Sequence, residues 1–216
     1  MAANAGQSRI DVGRLIMIPF AAGMLTFDLT PSIHHTGDGT AGALRWLGMV
    51  GACAFYALTI WSYLRRGPAV ATCRSVTAHV AAVAATFAPF VFPLLQTSTP
   101  GAGRQFASDV LLLAGVTWSV WSLYFLGRNL SMIAQARNVV DRGPYRWVRH
   151  PLYAGEIVSS LGLAIAAGSA VAAVLWLTLC ALQVYRALRE EQVLLRALPG
   201  YRVYRARTAA LLPGIF

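Results

Sequence analysis

The 216-residue chain is 57% hydrophobic and only 12% charged, with a mean hydropathy of +0.57. That composition excludes an ordinary soluble domain and places the chain in a bilayer. The net charge of +10 comes from eighteen arginines with no lysine. They lie between apolar runs and not on amphipathic or aromatic-interleaved soluble elements, so nucleic acid is not expected as a partner.

In chain order, a short polar tail with Arg9 and Arg14 leads into a first apolar run at about 14–30. A signal peptide competes for this run, but no small-x-small cleavage site follows it, so a retained helix is expected. Further runs follow at about 43–64, 76–96 and 108–127, then 152–167 and 170–188, the last two separated only by Gly168-Ser169. Most approach the ~20 residues needed to cross a ~30 Å hydrocarbon core. The expected fold is therefore all-α and polytopic, with about six transmembrane helices, the final pair a tight hairpin. The division expected is a four-helix region, 1–127, followed by a core, 128–216.

Placing the N-terminus in the cytosol puts sixteen of the eighteen arginines on one side and leaves only Arg45 and Arg104 opposite. The positive-inside rule favours six spans, with both termini cytosolic in an inner membrane, and disfavours any odd number. Within the third run, Ala78, Ala81, Ala82, Ala84, Ala85 and Ala88 suit close helix packing, while Pro89 and Pro93 should kink its far half. Trp118, Trp121, Tyr124 and Phe125 share one face of the fourth run, as packing or interfacial aromatics or as the wall of a lipid-substrate tunnel.

Three weaker signals are set aside. Gly37 to Gly42 satisfies G-x-G-x-x-G but has no strand before it and no βαβ unit around it. His34-His35 lacks a third metal ligand in register, and His79 reads as an interfacial side chain. Cys53, Cys73 and Cys180 are odd in number and widely spaced, so neither a disulfide framework nor a metal site is indicated.

The densest chemistry is Asp141 to Glu156, DRGPYRWVRHPLYAGE. Pro144 and Pro151 lack backbone N–H groups and bias Gly143 and His150 away from helix, so an arginine-rich turn should re-enter a helix near Leu152. With REEQ at 189–192 and YRVY at 201–204, this stretch resembles the isoprenylcysteine carboxyl methyltransferase family, bacterial type, over roughly residues 125–216. The order RHPxY, hydrophobic hairpin, Glu pair, YxxY and terminal Pro is that family's order. The resemblance implies an integral membrane enzyme using S-adenosylmethionine to methylate a lipophilic or prenyl-type acceptor, with membrane lipid as its other partner. It implies a cofactor carried on the residues matching His150, Tyr153, Glu190 and Glu191.

The full expected cofactor set is Arg149, His150, Pro151, Tyr153, Gly155, Glu190, Glu191 and Tyr204, with Arg186 and Glu190 catalytic and no metal. Glu190 would pair with the cofactor ammonium, Arg146 or Arg149 with its carboxylate, and Arg186 would polarise the acceptor. From spacing alone, the Glu pair also fits exposed i, i+4 ion pairs with Arg186 or a neighbouring arginine. A membrane reductase using NADPH and a non-catalytic membrane subunit are the competing readings. Leu198-Pro199-Gly200 stands where an aromatic-Gly pair is usual in eukaryotic members.

Overall fold

A computed structural model of the chain describes residues 11–32 and 39–211. The Gly37 to Gly42 motif falls partly outside them, and Arg9 and His34-His35 wholly so. The elements are α1 (Val12–Ser32), α2 (Gly39–Arg65), β1 (Ala71–Thr72), α3 (Val76–Phe87), α4 (Ala102–Leu126), β2 (Gln135–Ala136), α5 (Pro151–Ala167), α6 (Ala170–Ala197) and α7 (Tyr201–Arg207). This is an all-α membrane protein. Four stretches, 42–65, 76–95, 102–129 and 170–197, are long and apolar enough to cross a bilayer, and shorter apolar helices cover 13–27 and 151–167.

The expected kink in the third run is larger than a bend. Helix α3 stops at Phe87, and Ala88–Leu95 continues as a 3₁₀ helix containing Pro89 and Pro93. Neither proline donates a backbone hydrogen bond, so the α-helical ladder cannot continue through them. Eight residues are long for 3₁₀ geometry. Packing holds the stretch, with Phe92 buried against Ala164, Ala167 and Ala172. Of the alanine stripe, Ala78, Ala81, Ala82 and Ala85 are buried, and α3 packs on α6.

The tightest helix pair is α4 against α5. A Cβ on Gly115 would collide with the Ser159 backbone nitrogen and sit 2.7 Å from the Gly155 carbonyl oxygen, and one on Gly162 would sit 2.7 Å from Ser108 O. Small residues let backbones meet where lipid gives no hydrophobic drive for association. Gly115→Ala should therefore lower stability by about 1–3 kcal/mol, as overpacking does. Gly23→Ala, with nothing within 4 Å of the new methyl, should not. Thermal unfolding of the solubilised variants measures both.

The α5–α6 hairpin turns at Gly168, which adopts φ +64°, the left-handed conformation that glycine reaches without cost. Ser169 then caps α6 by accepting from Ala172 N at 3.2 Å. This end also carries Arg45 Nε, 3.6 Å from Asp109 Oδ2, and Arg104, which donates to Ser98 O at 3.3 Å. At the other end Arg66 Nε donates to Asp11 Oδ2 at 2.8 Å and Arg14 Nη2 to Arg66 O at 2.5 Å. There β1 and β2 pair antiparallel, Ala71 with Ala136 and Thr72 with Gln135, tying the α2–α3 connection to the α4–α5 connection. Arg45 and Arg104 thus lie at one end of the bundle and Arg14 and Arg66 at the other.

Candidate active site

The loop before α5 is built as the prolines dictate. Gly143–Arg146 makes one 3₁₀ turn with Pro144 and Tyr145 buried, and Pro151 occupies the first turn of α5, where a missing N–H costs nothing. The C-terminal tail runs beside this loop: Arg149 N donates to Ala209 O at 2.8 Å, His150 N to Ala210 O at 3.0 Å, and Ala209 N to Trp147 O at 3.3 Å. The RHP segment is therefore fixed from both sides, by α5 in front and by the tail alongside.

Two layers of polar side chains face each other across α5 and α6. In the outer layer the His150 and Tyr153 rings stack in parallel, 5.5 Å between centroids, and Tyr153 OH donates to Glu190 Oε2 at 2.9 Å. Glu190 Oε2 also lies 3.8 Å from His150 Nδ1. Beside them Glu191 sits in a cationic clamp. Its Oε1 accepts from Arg149 Nε at 2.6 Å and lies 3.3 Å from His150 Nε2, while Arg205 Nε reaches Oε2 at 2.9 Å. Arg149 Nη1 donates in turn to the carbonyls of Arg205, at 3.1 Å, and Thr208.

Helix α7 closes this layer. Tyr204 OH donates to Tyr145 O at 2.7 Å, and the Tyr201 hydroxyl is buried with no hydrogen-bond partner among the described residues. Burial pushes the hydroxyls of Tyr145, Tyr201 and Tyr204 above the usual tyrosine range, so all three remain protonated donors.

One helical turn deeper on both helices lies the second layer. Gln183 Nε2 donates to Glu156 Oε2 at 2.6 Å, Arg186 Nη1 donates to Gln183 Oε1 at 3.0 Å, and Arg186 Nη2 to Met132 O at 3.2 Å. The Arg186 guanidinium lies 4.6 Å from the centre of the Tyr153 ring and 3.8 Å from Glu156.

Both layers border a chamber of about 230 Å³ that reaches between α1, α2, the 3₁₀ stretch and α5, walled there by Phe20, Phe55, Tyr56, Pro89 and Phe90. A smaller pocket of about 50 Å³ adjoins it toward α7, lined by Asn129, Arg137, Tyr201 and Tyr204. Tyr145, Arg149, His150 and Glu190 border both. The two adjoin across these four side chains as a polar-to-apolar passage of two cavities.

Of the residues expected from sequence, Arg149, His150, Tyr153, Arg186, Glu190 and Tyr204 line this passage. Gly155 does not: a Cβ there would collide with Ser119 on α4, so it serves helix packing. Pro151 lines neither cavity; it starts α5, and its carbonyl accepts from Trp118 Nε1 at 2.9 Å. Glu191 stands behind the wall in its clamp, which is long-range and not the i, i+4 pair that spacing offered. Arg146 is exposed over the Trp147 ring.

The α4 aromatics do not line the chamber. Trp118 and Trp121 line an outer groove with Leu44, Val110 and Thr117 and pack on each other, and Trp121 also packs on Trp147. Glu156 and Gln183 went unnoticed as site residues. Each is a polar group inside an apolar run, the signal that marks function within a membrane span.

A helical membrane bundle with two carboxylates and an arginine at the mouth of an apolar chamber is an enzyme-like site of the membrane class. Residues 104–199 match the family model described as phospholipid methyltransferase, the family that includes the isoprenylcysteine carboxyl methyltransferases. Over that segment the chain is similar to this family of membrane methyltransferases. The match takes in α4, the arginine loop, α5 and α6, and ends before Tyr201. No curated protein matches the chain.

Proposed function

We propose that the protein transfers a methyl group from S-adenosylmethionine to a lipophilic acceptor that enters from the bilayer. The observation that carries this reading is that Tyr145, Arg149, His150 and Glu190 form a common wall of two adjoining cavities, one polar at Arg137 and Tyr204 and one apolar from Phe55 to Phe90. The residues fit the cofactor. Glu190 spends one oxygen on Tyr153 and offers a carboxylate to an ammonium, while the unpaired Tyr201 hydroxyl and Arg137 Nη1 are buried in side chains of the smaller pocket.

Arg137, and not the exposed Arg146 or Arg149 with its donors held by Glu191 and the tail, is the guanidinium suited to the cofactor carboxylate. When bound, the cofactor supplies a methyl group already activated on a sulfonium. The protein's own work is to align the partners and exclude water. His150 and Tyr153 orient the outer layer, Arg186 the acceptor end, and α7 covers the pocket. Residues 128–216 provide most of the cofactor end and 1–127 most of the chamber wall.

Ligand-induced stabilisation tests the reading. S-adenosylhomocysteine at ~100 times its dissociation constant should stabilise the solubilised protein by ~2.7 kcal/mol, and NADPH should not. A shift with NADPH alone would return the reductase.

We also read the six helices as six spans with both termini and the cofactor pocket cytosolic. Reporters fused after Gly67 and Gln135 should then be cytosolic and one after Gly103 external. A cytosolic reporter at Gly103 sinks the arrangement.

A further inference from the structure

We propose that the open face of α4 holds an acyl chain of an anionic phospholipid whose phosphate sits on Arg142 and Arg146, and that this lipid steadies the arginine loop for cofactor binding. The lipid is a bound component, separate from any acceptor in the chamber. Only its effect on the cofactor rests on the methyl-transfer reading above.

Shape makes the first argument. Val110, Leu113, Thr117, Trp118 and Trp121 recur at spacings of three and four along one face of α4, and with Leu44 of α2 they line a groove of about 460 Å³. Another face of α4 is taken by α5, which Gly115 and Ser119 meet at close range, so the groove lies on the outside of the bundle, with Val110 and Trp121 exposed. From Val110 to Trp121 it runs ~16 Å at the helical rise. That is about half of a ~30 Å hydrocarbon core, the depth of one leaflet.

Charge makes the second and fixes which end takes the head group. At the Leu44 end, Arg45 lies 3.6 Å from Asp109, so its charge is already offset. At the other end Trp121 packs on Trp147 with 5.7 Å between ring centroids, and the Arg146 guanidinium lies 4.9 Å from the centre of the Trp147 ring. Arg142 opens the same 3₁₀ turn. Both arginines are exposed, and among the described residues neither forms an ion pair, with neighbouring Asp141 or with any other acid. Tryptophan rings settle at the head-group level of a bilayer, and arginines just outside it attract anionic lipid. Two such arginines beside a tryptophan pair, at the mouth of a groove one leaflet deep, match a phosphate above its own acyl chain. A zwitterionic lipid brings them no net charge.

Coupling makes the third. Trp118, in the groove wall, donates from Nε1 to Pro151 O at 2.9 Å, where α5 begins. Trp147 O accepts from Ala209 N at 3.3 Å, and Ala209 O accepts from Arg149 N at 2.8 Å. The two tryptophans that meet the lipid are thus bonded to the start of α5 and to the tail strand that flanks Arg149 and His150. A lipid that orders them lowers the cost of ordering the loop when the cofactor binds, so lipid and cofactor should strengthen each other's binding.

The test places the full chain in nanodiscs of phosphatidylcholine with a minor share of phosphatidylglycerol, bromine being carried on the acyl chains of one lipid or the other. The signal is the quenching of tryptophan fluorescence that W121F loses. Each arginine near the surface contributes about fivefold, so brominated phosphatidylglycerol should be favoured over brominated phosphatidylcholine at least ~tenfold, and the R142Q/R146Q double variant should show almost no preference. Phosphatidylglycerol should also tighten S-adenosylhomocysteine binding several-fold and slow amide exchange across 142–150. Glycerol phosphate in solution should do neither, because the groove holds the chain.

Equal quenching by the two lipids would overturn the inference, as would a preference that survives in R142Q/R146Q. Quenching by neither lipid would mean that protein, such as a second copy of the chain, covers the face, and would overturn it too. Loop protection by glycerol phosphate would remove the groove's part in it, and cofactor affinity unchanged by phosphatidylglycerol would remove the coupling. The wild-type comparison decides the matter even if the double variant does not fold. Failure of S-adenosylhomocysteine to bind in either lipid would instead overturn the methyl-transfer reading and leave the quenching result standing.

Discussion

Arg149→Ala should unlatch the C-terminal tail and abolish most cofactor affinity while leaving the helical bundle intact. Arg149 joins three segments at once: its Nε meets Glu191 on α6 at 2.6 Å, and its Nη1 meets the carbonyls of Arg205 and Thr208 in and after α7. Both partners of the ion pair are buried, with 9% and 6% of their side-chain surface exposed. Removing one member of such a pair leaves the other charge poorly compensated and costs about 3–5 kcal/mol.

The loss should fall on tail docking, because Tyr201 and Tyr204 reach the smaller pocket only while α7 lies against the loop. S-adenosylhomocysteine affinity should drop about 100-fold or more, and amide hydrogen exchange should rise across 198–211 with little change in α2 or α4. Arg149→Lys should restore little. One ammonium cannot reproduce a fork whose Nε and Nη1 serve different acceptors. Unchanged exchange in the tail of Arg149→Ala would show that the backbone contacts with Ala209 and Ala210 suffice without the clamp.

The helices and the place of the site were legible because both are written in composition. Runs of apolar residues must be helical in a bilayer, and Pro151 marks the start of α5 after the arginine loop. The Gly168 turn followed from the same signals, while α6 runs on to Ala197, past the apolar run that ends near Leu188. What spacing does not give is the neighbour. Gly155 lies between Tyr153 and Glu156 in the motif, yet it faces Ser119 on α4 and not the passage. Glu190 and Glu191 are adjacent, so they point to different faces, and only the fold shows that one meets Tyr153 while the other is clamped by Arg149 and Arg205.

The aromatic face of α4 was correctly read as one face, but its partner is an outer groove and the arginine loop. The β1–β2 ribbon, two residues a strand, was invisible because pairs that short carry no periodicity. It matters nonetheless: Gln135 in β2 accepts Arg137 Nη2 at 2.7 Å, which helps fix the guanidinium assigned here to the cofactor carboxylate.

Arg186→Ala and Glu190→Gln should separate the two layers of the site. Arg186 and Glu190 are one helical turn apart, the spacing at which an ion pair forms on a helix surface. The structure spends them elsewhere, Arg186 on Gln183, Met132 and the neighbourhood of Glu156, Glu190 on Tyr153 and His150. Glu190→Gln keeps the shape and removes the charge offered to the cofactor ammonium, so S-adenosylhomocysteine affinity should fall by ~1.5–3 kcal/mol, the value of a hydrogen bond to a charged group. Binding of a lipophilic acceptor analogue should persist.

Arg186→Ala removes the cation beside Glu156 and the group over the Tyr153 ring. Turnover should fall at least ~100-fold while S-adenosylhomocysteine binds within a few fold, the pattern of an interaction made chiefly in the transition state. The two layers touch through Tyr153, whose ring faces Arg186 and whose hydroxyl reaches Glu190. Tyr153→Phe keeps the ring and removes the hydroxyl, so it should resemble a mild Glu190→Gln and leave the Arg186 phenotype untouched. In the double variant, independent layers give losses in kcat/KM that add within ~0.5 kcal/mol. A double variant no worse than Arg186→Ala alone would mean that the two residues act as one structural unit, and the division into a cofactor layer and an acceptor layer would fail.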